Sequence, residues 1–240
     1  MSNLRIYELS PRLQSVADLV PEGARLADVG TDHAYLPVWL ILQGVIDGAV
    51  VSDLRRGPLD RARQNAAHYE VSDKLSFRLC DGLRGVQPHE ADTVTIAGMG
   101  GETIANILSE SPWVGLGSCR LILQPMTAQE FLRCWLSRHG YTIEREVLTQ
   151  EGRTLYCTFL VRAGQMPPLS PAECWAGRQY LGMDAPLRSL YLERLVHRAD
   201  RALDGIRRST KPEDVSRAAD LERVAAGLRA MKKEWEAWQR

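Results

Sequence analysis

From about residue 25 to residue 162 strand-like and helix-like segments alternate, and no other feature of the chain narrows its fold as far. Short apolar runs at Leu26 to Gly30, Ala49 to Asp53, Leu75 to Cys80, Thr93 to Ala97, Leu121 to Leu123, Thr142 to Val147 and Leu155 to Val161 predict seven strands. Pro58 to Tyr69, Glu102 to Leu108 and Thr127 to Gly140 predict helices between them, and from Ala34 onward Tyr35, Leu36, Val38, Trp39 and Leu42 add another. Such alternation builds a parallel sheet, because each parallel pair needs a crossover long enough to hold a helix. Only Leu148 to Thr154, with Gly152 in the turn, separates the last two strands. That is too short for a crossover, so these two should close the sheet as an antiparallel hairpin.

Ligands of open α/β sheets bind outside the carboxyl ends of the strands, near the switch in strand order. The first such end reads LADVGTDHAYLP, Leu26 to Pro37. It offers one glycine and two aspartates where a dinucleotide loop would offer G-x-G-x-x-G and bare amides for a pyrophosphate. Asp28 and Asp32 would repel a diphosphate, so the expected ligand is cationic or rich in hydroxyls. S-adenosylmethionine, with its sulfonium and ammonium and no phosphate, suits such a loop. Gly30 and Thr31 would pass its methionine part, and Asp28 or Asp32 would answer the ammonium. His33 sits beside them; a lone histidine at a helix start reads first as a hydrogen-bonding group. At the second end, Asp53 could accept both ribose hydroxyls while Leu54 lies against the adenine. At the third, Asp81 could accept from the adenine amino group and Gly82 would give the ring room. Ala97, Gly98, Met99 and the glycines after them leave little side chain between backbone and ligand at the fourth.

Composition removes several other classes. Thirty basic and thirty acidic side chains cancel, so overall charge gives no warrant for a nucleic-acid binder. The asymmetry is small: residues 1 to 164 carry 16 Lys and Arg against 19 Asp and Glu, and residues 165 to 240 carry 14 against 11. Cys80, Cys119, Cys134, Cys157 and Cys174 are odd in number and irregular in spacing, which predicts small core residues in a reducing compartment rather than disulfides or a metal site. His68, His89, His139 and His197 show no partner in the sequence. MSNLRIYELS lacks the basic and apolar regions of a leader, and nowhere do about 18 apolar residues run together, so a soluble cytoplasmic protein with no membrane partner is expected. No G-x-S-x-G, H-E-x-x-H or Walker pattern supports a hydrolase or an NTPase.

After Val161 the pattern changes. Gly164, Pro167, Pro168 and Pro171 read as a stiff linker dividing residues 1–163 from a helical unit, 164–240. Leu192, Leu195, Ala199, Ala202 and Ile206 form one apolar seam, and Leu221, Ala225, Leu228, Trp235 and Trp238 a second. Thr210 and Glu213 stand at capping-box spacing with Pro212 in the first turn, which predicts a helical, coiled-coil-like hairpin. Its helices could pack on each other or on a second chain. Arg194, Arg198, Arg201, Arg207, Arg208, Lys211, Arg217, Arg223, Arg229, Lys232 and Lys233 decorate the polar faces, either as a solvated surface or as contacts to RNA phosphate.

Seven strands ending in a hairpin resemble the Rossmann-like methyltransferase sheet, and the motifs resemble one family within it. DVGTDHAYLP (Asp28 to Pro37), SDLRRGPLDRARQN (Ser52 to Asn65), LCDGL (Leu79 to Leu83), DTVTIAGMGG (Asp92 to Gly101) and LILQP (Leu121 to Pro125), with LSPRL at Leu9 to Leu13, are similar to the bacterial tRNA (adenine-N1)-methyltransferases of the TrmK family, which modify adenine 22 of tRNA. The resemblance implies an S-adenosylmethionine-dependent domain followed by helices that contact tRNA, and no metal. N1 of adenine already carries a lone pair, so alignment and release of the base from its stack would matter more than a general base. Gln124 and Pro125 could then hydrogen-bond and pack against the adenine, and Arg12 could hold a phosphate or the base. Three other readings stay open: the same cofactor with another RNA position or a small molecule as acceptor, a non-catalytic protein binding cofactor and RNA, and an NAD-dependent enzyme using Asp53.

Overall fold

The computed structural model describes residues 7–207 and 212–239, the side chains of 212–216 excepted. Seven strands form one sheet: β1 (Leu26–Val29), β2 (Ala49–Asp53), β3 (Leu75–Leu79), β4 (Thr93–Gly100), β5 (Arg120–Thr127), β6 (Tyr141–Glu151) and β7 (Thr154–Ala163). Their order is β3-β2-β1-β4-β5-β7-β6, with β1 to β5 parallel and β7 antiparallel to both β5 and β6. The closing hairpin therefore forms as the short Gly152 turn requires. The order reverses between β1 and β4, and that switch point is where the strand-end loops part to leave a cleft.

Side-chain alternation sorts the strands' residues onto two faces. Ala27, Val29, Val94, Ile96, Leu121 and Leu123 bury one face under α4 (Gly101–Ser109) and α5 (Gln129–Arg138). Leu26, Ala49, Val51 and Ile122 bury the other under α1 (Pro11–Ala17), α2 (Tyr35–Leu42) and α3 (Arg56–His68). Each fully buried aliphatic side chain contributes about 1.5–3 kcal/mol, so the two clusters fix the register firmly. By the same period of two, Asp28, Asp53, Thr95 and Gln124 share the face that α1, α2 and α3 cover.

A third cluster holds the C-terminal helices: α6 (Pro171–Ala176), α7 (Arg188–Arg207) and α8 (Pro212–Trp238). Pro171, expected in the linker, instead occupies the first turn of α6, where its missing N–H costs nothing, and Ser170 and Glu173 complete a capping box. The seam of α7 runs through Leu192, Leu195, Ala199 and Leu203; Ala202 and Ile206 are only half-buried, because a straight helix drifts off a strict heptad. Along α8, Ala225, Leu228 and Trp235 are buried as expected, joined by Val224. The expected cap at Thr210 and Glu213 lies outside the described residues.

One expectation about the cysteines is overturned. Cys134 on α5 and Cys174 on α6 are joined as a disulfide across 40 residues, whereas Cys80, Cys119 and Cys157 are free. Helix packing brought together two positions whose sequence spacing carries no pairing signal. Beside that link Arg133 is wholly buried. It bonds the Glu146 carboxylate at 2.7 Å, the carbonyls of Cys174 (3.2 Å) and Trp175 (2.7 Å), and the Tyr191 hydroxyl (3.2 Å), tying sheet to helical region.

Candidate active site at the carboxyl ends of the strands

At the switch point Asp28 is buried and accepts a 2.7 Å hydrogen bond from the Thr95 hydroxyl, its register partner on β4. Burial pushes this carboxyl above its ordinary value of 3.8, against the lowering effect of the neighbouring Thr31 and Thr95 hydroxyls. Among the described residues no basic side chain forms an ion pair with it. The Thr31 hydroxyl beside it is also buried; it acts on the same carboxyl and closes no hydrogen bond of normal geometry. A buried carboxylate without a cation, beside a hydroxyl that is not firmly bonded, suits a group that is positive and donates hydrogen bonds.

The neighbouring amides point to the same chemistry. Gly30 and Thr31 donate their N–H groups to the Ser52 carbonyl of β2 at 2.8 and 3.1 Å. They are not turned outward, so no phosphate nest exists where a dinucleotide fold would place one. Gly30 is left-handed at φ +74°, and a Cβ there would stand 2.2 Å from the Met99 methyl, which folds over the loop from β4.

Asp32 turns away from this point. Its exposed carboxylate pairs with Arg61 of α3 at 3.0 Å, with His33 at 3.7 Å, leaving Asp28 as the carboxylate at the switch. His33 is held in a left-handed backbone (φ 60°), its carbonyl accepts from Asn65 at 2.9 Å, and its ring stacks on Tyr35. Tyr7, absent from the sequence-based set, covers that stack: its hydroxyl donates to the Tyr35 carbonyl and burial drives its pKa well up. The other histidines also gain partners that the sequence hid. His139 bonds the Trp135 carbonyl and stacks on its ring, His68 packs on Tyr69, the His89 carbonyl accepts from Arg25, and His197 lies near Glu193.

Asp53 ends β2 buried, with one carboxylate oxygen accepting the Arg55 N–H at 2.8 Å and the other free of any protein donor among the described residues. Leu54 beside it is 67% exposed, an apolar wall beside that carboxylate. Asp81 is exposed at the end of β3. At Gly82 a Cβ would meet Ile107 of α4 at 3.0 Å, and its φ is +53°. Glycine therefore serves the turn and the packing against α4. Gly101 likewise lies against α5, where a Cβ would stand 2.3 Å from the Ala128 carbonyl oxygen.

On the far side of Met99 a second group converges. Gln124, fully buried, accepts from Arg12 at 2.9 Å and from the Gly98 N–H at 3.1 Å through the same oxygen. That oxygen is thus engaged twice within the chain, and Gln124 positions Arg12 and the Gly98 loop. Pro125 is buried behind it, and Met126, which follows, is 43% exposed. Arg12 is half-buried on α1, its backbone N–H donating to Glu151 and its guanidinium 6.0 Å from the Tyr156 ring centre. The sequence alone offered no sign that α1, β5 and the hairpin would meet there. Among the described residues no cluster of His, Cys, Asp and Glu gathers for a metal, and no helix is long and apolar enough to cross a membrane.

Known proteins are similar to this chain in sequence and in fold. A family model described as a methyltransferase domain matches residues 9–159. A Bacillus subtilis tRNA (adenine(22)-N(1))-methyltransferase is 39% identical over 157 residues, 65% of this chain and 66% of that protein's length. The crystal structure of the B. subtilis M1A22 tRNA methyltransferase TrmK superposes with a TM-score of 0.84 at 28% identity, covering 94% of this chain and 99% of that one. A Streptococcus pneumoniae structure, described as a candidate tRNA (m1A22) methyltransferase in complex with S-adenosyl-L-methionine, superposes with a TM-score of 0.77 at 33% identity, covering 91% and 100%.

Proposed function

The chain belongs to the methyltransferase-domain family and, within it, to the tRNA (adenine(22)-N(1))-methyltransferases, and on that premise we propose how its own residues bring about methyl transfer from S-adenosylmethionine to N1 of adenine 22 in tRNA. The observation that carries the cofactor assignment is Asp28: a buried carboxylate with no basic partner among the described residues, next to a buried Thr31 hydroxyl that closes no hydrogen bond of normal geometry and two amides engaged by Ser52. Residues 1–163 form the catalytic unit, and 164–240 the helical unit that contacts tRNA. A cytoplasmic location follows from that substrate.

Asp28 and Thr31 hold the ammonium end of the cofactor, the free oxygen of Asp53 takes its ribose hydroxyls, and Leu54 with Asp81 flanks the adenine. When bound, the cofactor supplies an electrophilic methyl on sulfur, which the N1 lone pair displaces in line, leaving a thioether and a cationic methylated ring. No proton leaves N1, so no general base is needed. The chain's contribution to rate is alignment and exclusion of water. Met99 and the Gly98 loop line the point where acceptor and methyl meet, and Gln124 fixes Arg12 there to grip the acceptor. Among readings with another acceptor, none is favoured by a feature of the site.

Incubating the purified chain with methyl-labelled cofactor and tRNA bearing adenine or guanine at position 22 tests the assignment. Label at N1 of adenine 22, absent from the guanine transcript, is the expected result. Label at another position, or none, overturns it, and tighter calorimetric binding of NAD than of S-adenosylmethionine would overturn the cofactor assignment.

A further inference from the structure

The basic residues of the helical region are not equivalent once folded. Arg207 pairs with Glu222 at 2.9 Å, Arg198 with Glu130 at 3.2 Å, and Arg223, Arg229 and Lys232 with Asp220, Asp200 and Glu236. Arg198 also lies over the Trp175 ring at 4.1 Å. These charges are neutralised within the chain and leave little field for an outside anion. Arg194 and Arg201 on α7 have no such carboxylate partner among the described residues. Arg194 instead donates to the backbone carbonyl of Arg153 at 2.7 Å, and the Arg153 side chain, at the tip of the β6–β7 hairpin, is exposed and likewise without a carboxylate among the described residues.

These three arginines line one cleft of about 440 Å³. Its other wall is Met126 and Thr127, the residues that follow Gln124 and Pro125 at the acceptor side of the candidate site. Arg194 and Arg201 are seven residues apart, so they stand on one side of α7 about 10 Å from each other. Glu130, which follows Gln129 of the cleft lining, is engaged by Arg198 at 3.2 Å, and Glu193 stands 3.9 Å from the His197 imidazole. The cleft thus joins an uncompensated cationic wall to the place where a substrate base must enter.

We infer that this cleft is a backbone-phosphate site for the RNA strand carrying the target adenine, with Arg153, Arg194 and Arg201 as its phosphate ligands. It rests on the tRNA-methyltransferase reading and narrows the tRNA-contacting surface of the helical unit to the face that meets the sheet. Bidentate guanidinium groups suit phosphate oxygens, and contacts of this kind position the strand without reading its sequence. Nearness to Met126 and Thr127 makes them set the approach of the base as well as the strength of binding.

The test is equilibrium binding of full-length chain to tRNA across a salt series, with calorimetric cofactor affinity measured in parallel. Arg194→Ala/Arg201→Ala should raise the tRNA Kd at least tenfold and flatten the dependence of log K on log salt by about 0.7–0.9 for each phosphate no longer neutralised. Arg201→Ala alone should show a three- to tenfold loss, and cofactor affinity should hold within twofold in both. Arg223→Ala, whose charge is paired, should change the Kd less than twofold. A double variant with wild-type Kd and salt slope, or an Arg223→Ala loss as large as that of Arg201→Ala, overturns the inference while leaving the enzymatic assignment intact. Failure of the wild-type chain to methylate tRNA adenine takes down both.

Discussion

Two buried charges, Asp28 and Arg133, lie on opposite sides of the sheet and are treated in opposite ways. Arg133 is surrounded: a carboxylate, two carbonyls and a hydroxyl answer its guanidinium, and burial holds the Tyr191 phenol at a pKa of about 12, so that it keeps its proton in this network. Asp28 has one close hydroxyl donor, Thr95, and no cation among the described residues. A buried charge completed by the protein belongs to architecture, whereas one left without a counter-charge suits a ligand of opposite sign. The same contrast separates the paired arginines of the helical hairpin from Arg194 and Arg201.

The comparison breaks first at Arg133. Arg133→Met leaves Glu146 and two carbonyls without their partner and should cost about 3–5 kcal/mol in urea unfolding. A loss under about 1 kcal/mol would show that the seam does not hold the two regions together. Next comes the adjoining disulfide, which closes a loop of 40 residues. Its reduction should cost up to about 4 kcal/mol in the chain-entropy account. Thiol titration of the denatured chain should find three free cysteines before reduction and five after; five before reduction would remove the link altogether.

Asp28→Asn is expected to act in the opposite direction on stability. Replacing a carboxyl whose charged form burial disfavours should stabilise the chain by about 1–3 kcal/mol at pH 7 while weakening S-adenosylmethionine binding about 10- to 100-fold. The sign with pH follows from the raised carboxyl. In strong acid both folded and unfolded chains hold the proton, so the two proteins should be equally stable. The wild-type penalty then enters as pH climbs from near 3.8 through the higher folded-state value. An Asn variant with unchanged cofactor affinity would sink the receptor assignment. Smallest in stability is Arg12→Ala, below about 1 kcal/mol, yet it should cut tRNA methylation at least about tenfold with cofactor affinity unchanged, measured by initial rates and calorimetry. Unaltered turnover would leave Arg12 as an ordinary helix residue.

Legibility in the sequence differed by the range of the interaction. β1 and β2 are predicted within a residue because they are short apolar runs buried on both faces. β4 and β5 extend further than expected, to Gly100 and Thr127, because bulged pairing at Met99 and Gly100 carries the ladder through residues of poor strand propensity. α1, which delivers Arg12, escaped notice because seven residues are too few for a periodic signal. Arg133 reads in sequence as the polar side of an amphipathic helix, and nothing in its neighbours reveals that a second layer of helices would cover it.

The strand-helix alternation, the closing hairpin, the acidic single-glycine loop and the apolar seams of the tail were set by local periodicity and turn chemistry, which act over a few residues and are written consecutively in the chain. Tertiary structure alone decided which of two loop aspartates stays unpaired, that Gln124 joins Arg12 to the Gly98 loop, that Cys134 meets Cys174, and which arginines keep an open charge. Each of those outcomes depends on desolvation and on partners brought from distant segments, and neither quantity exists until the chain has packed.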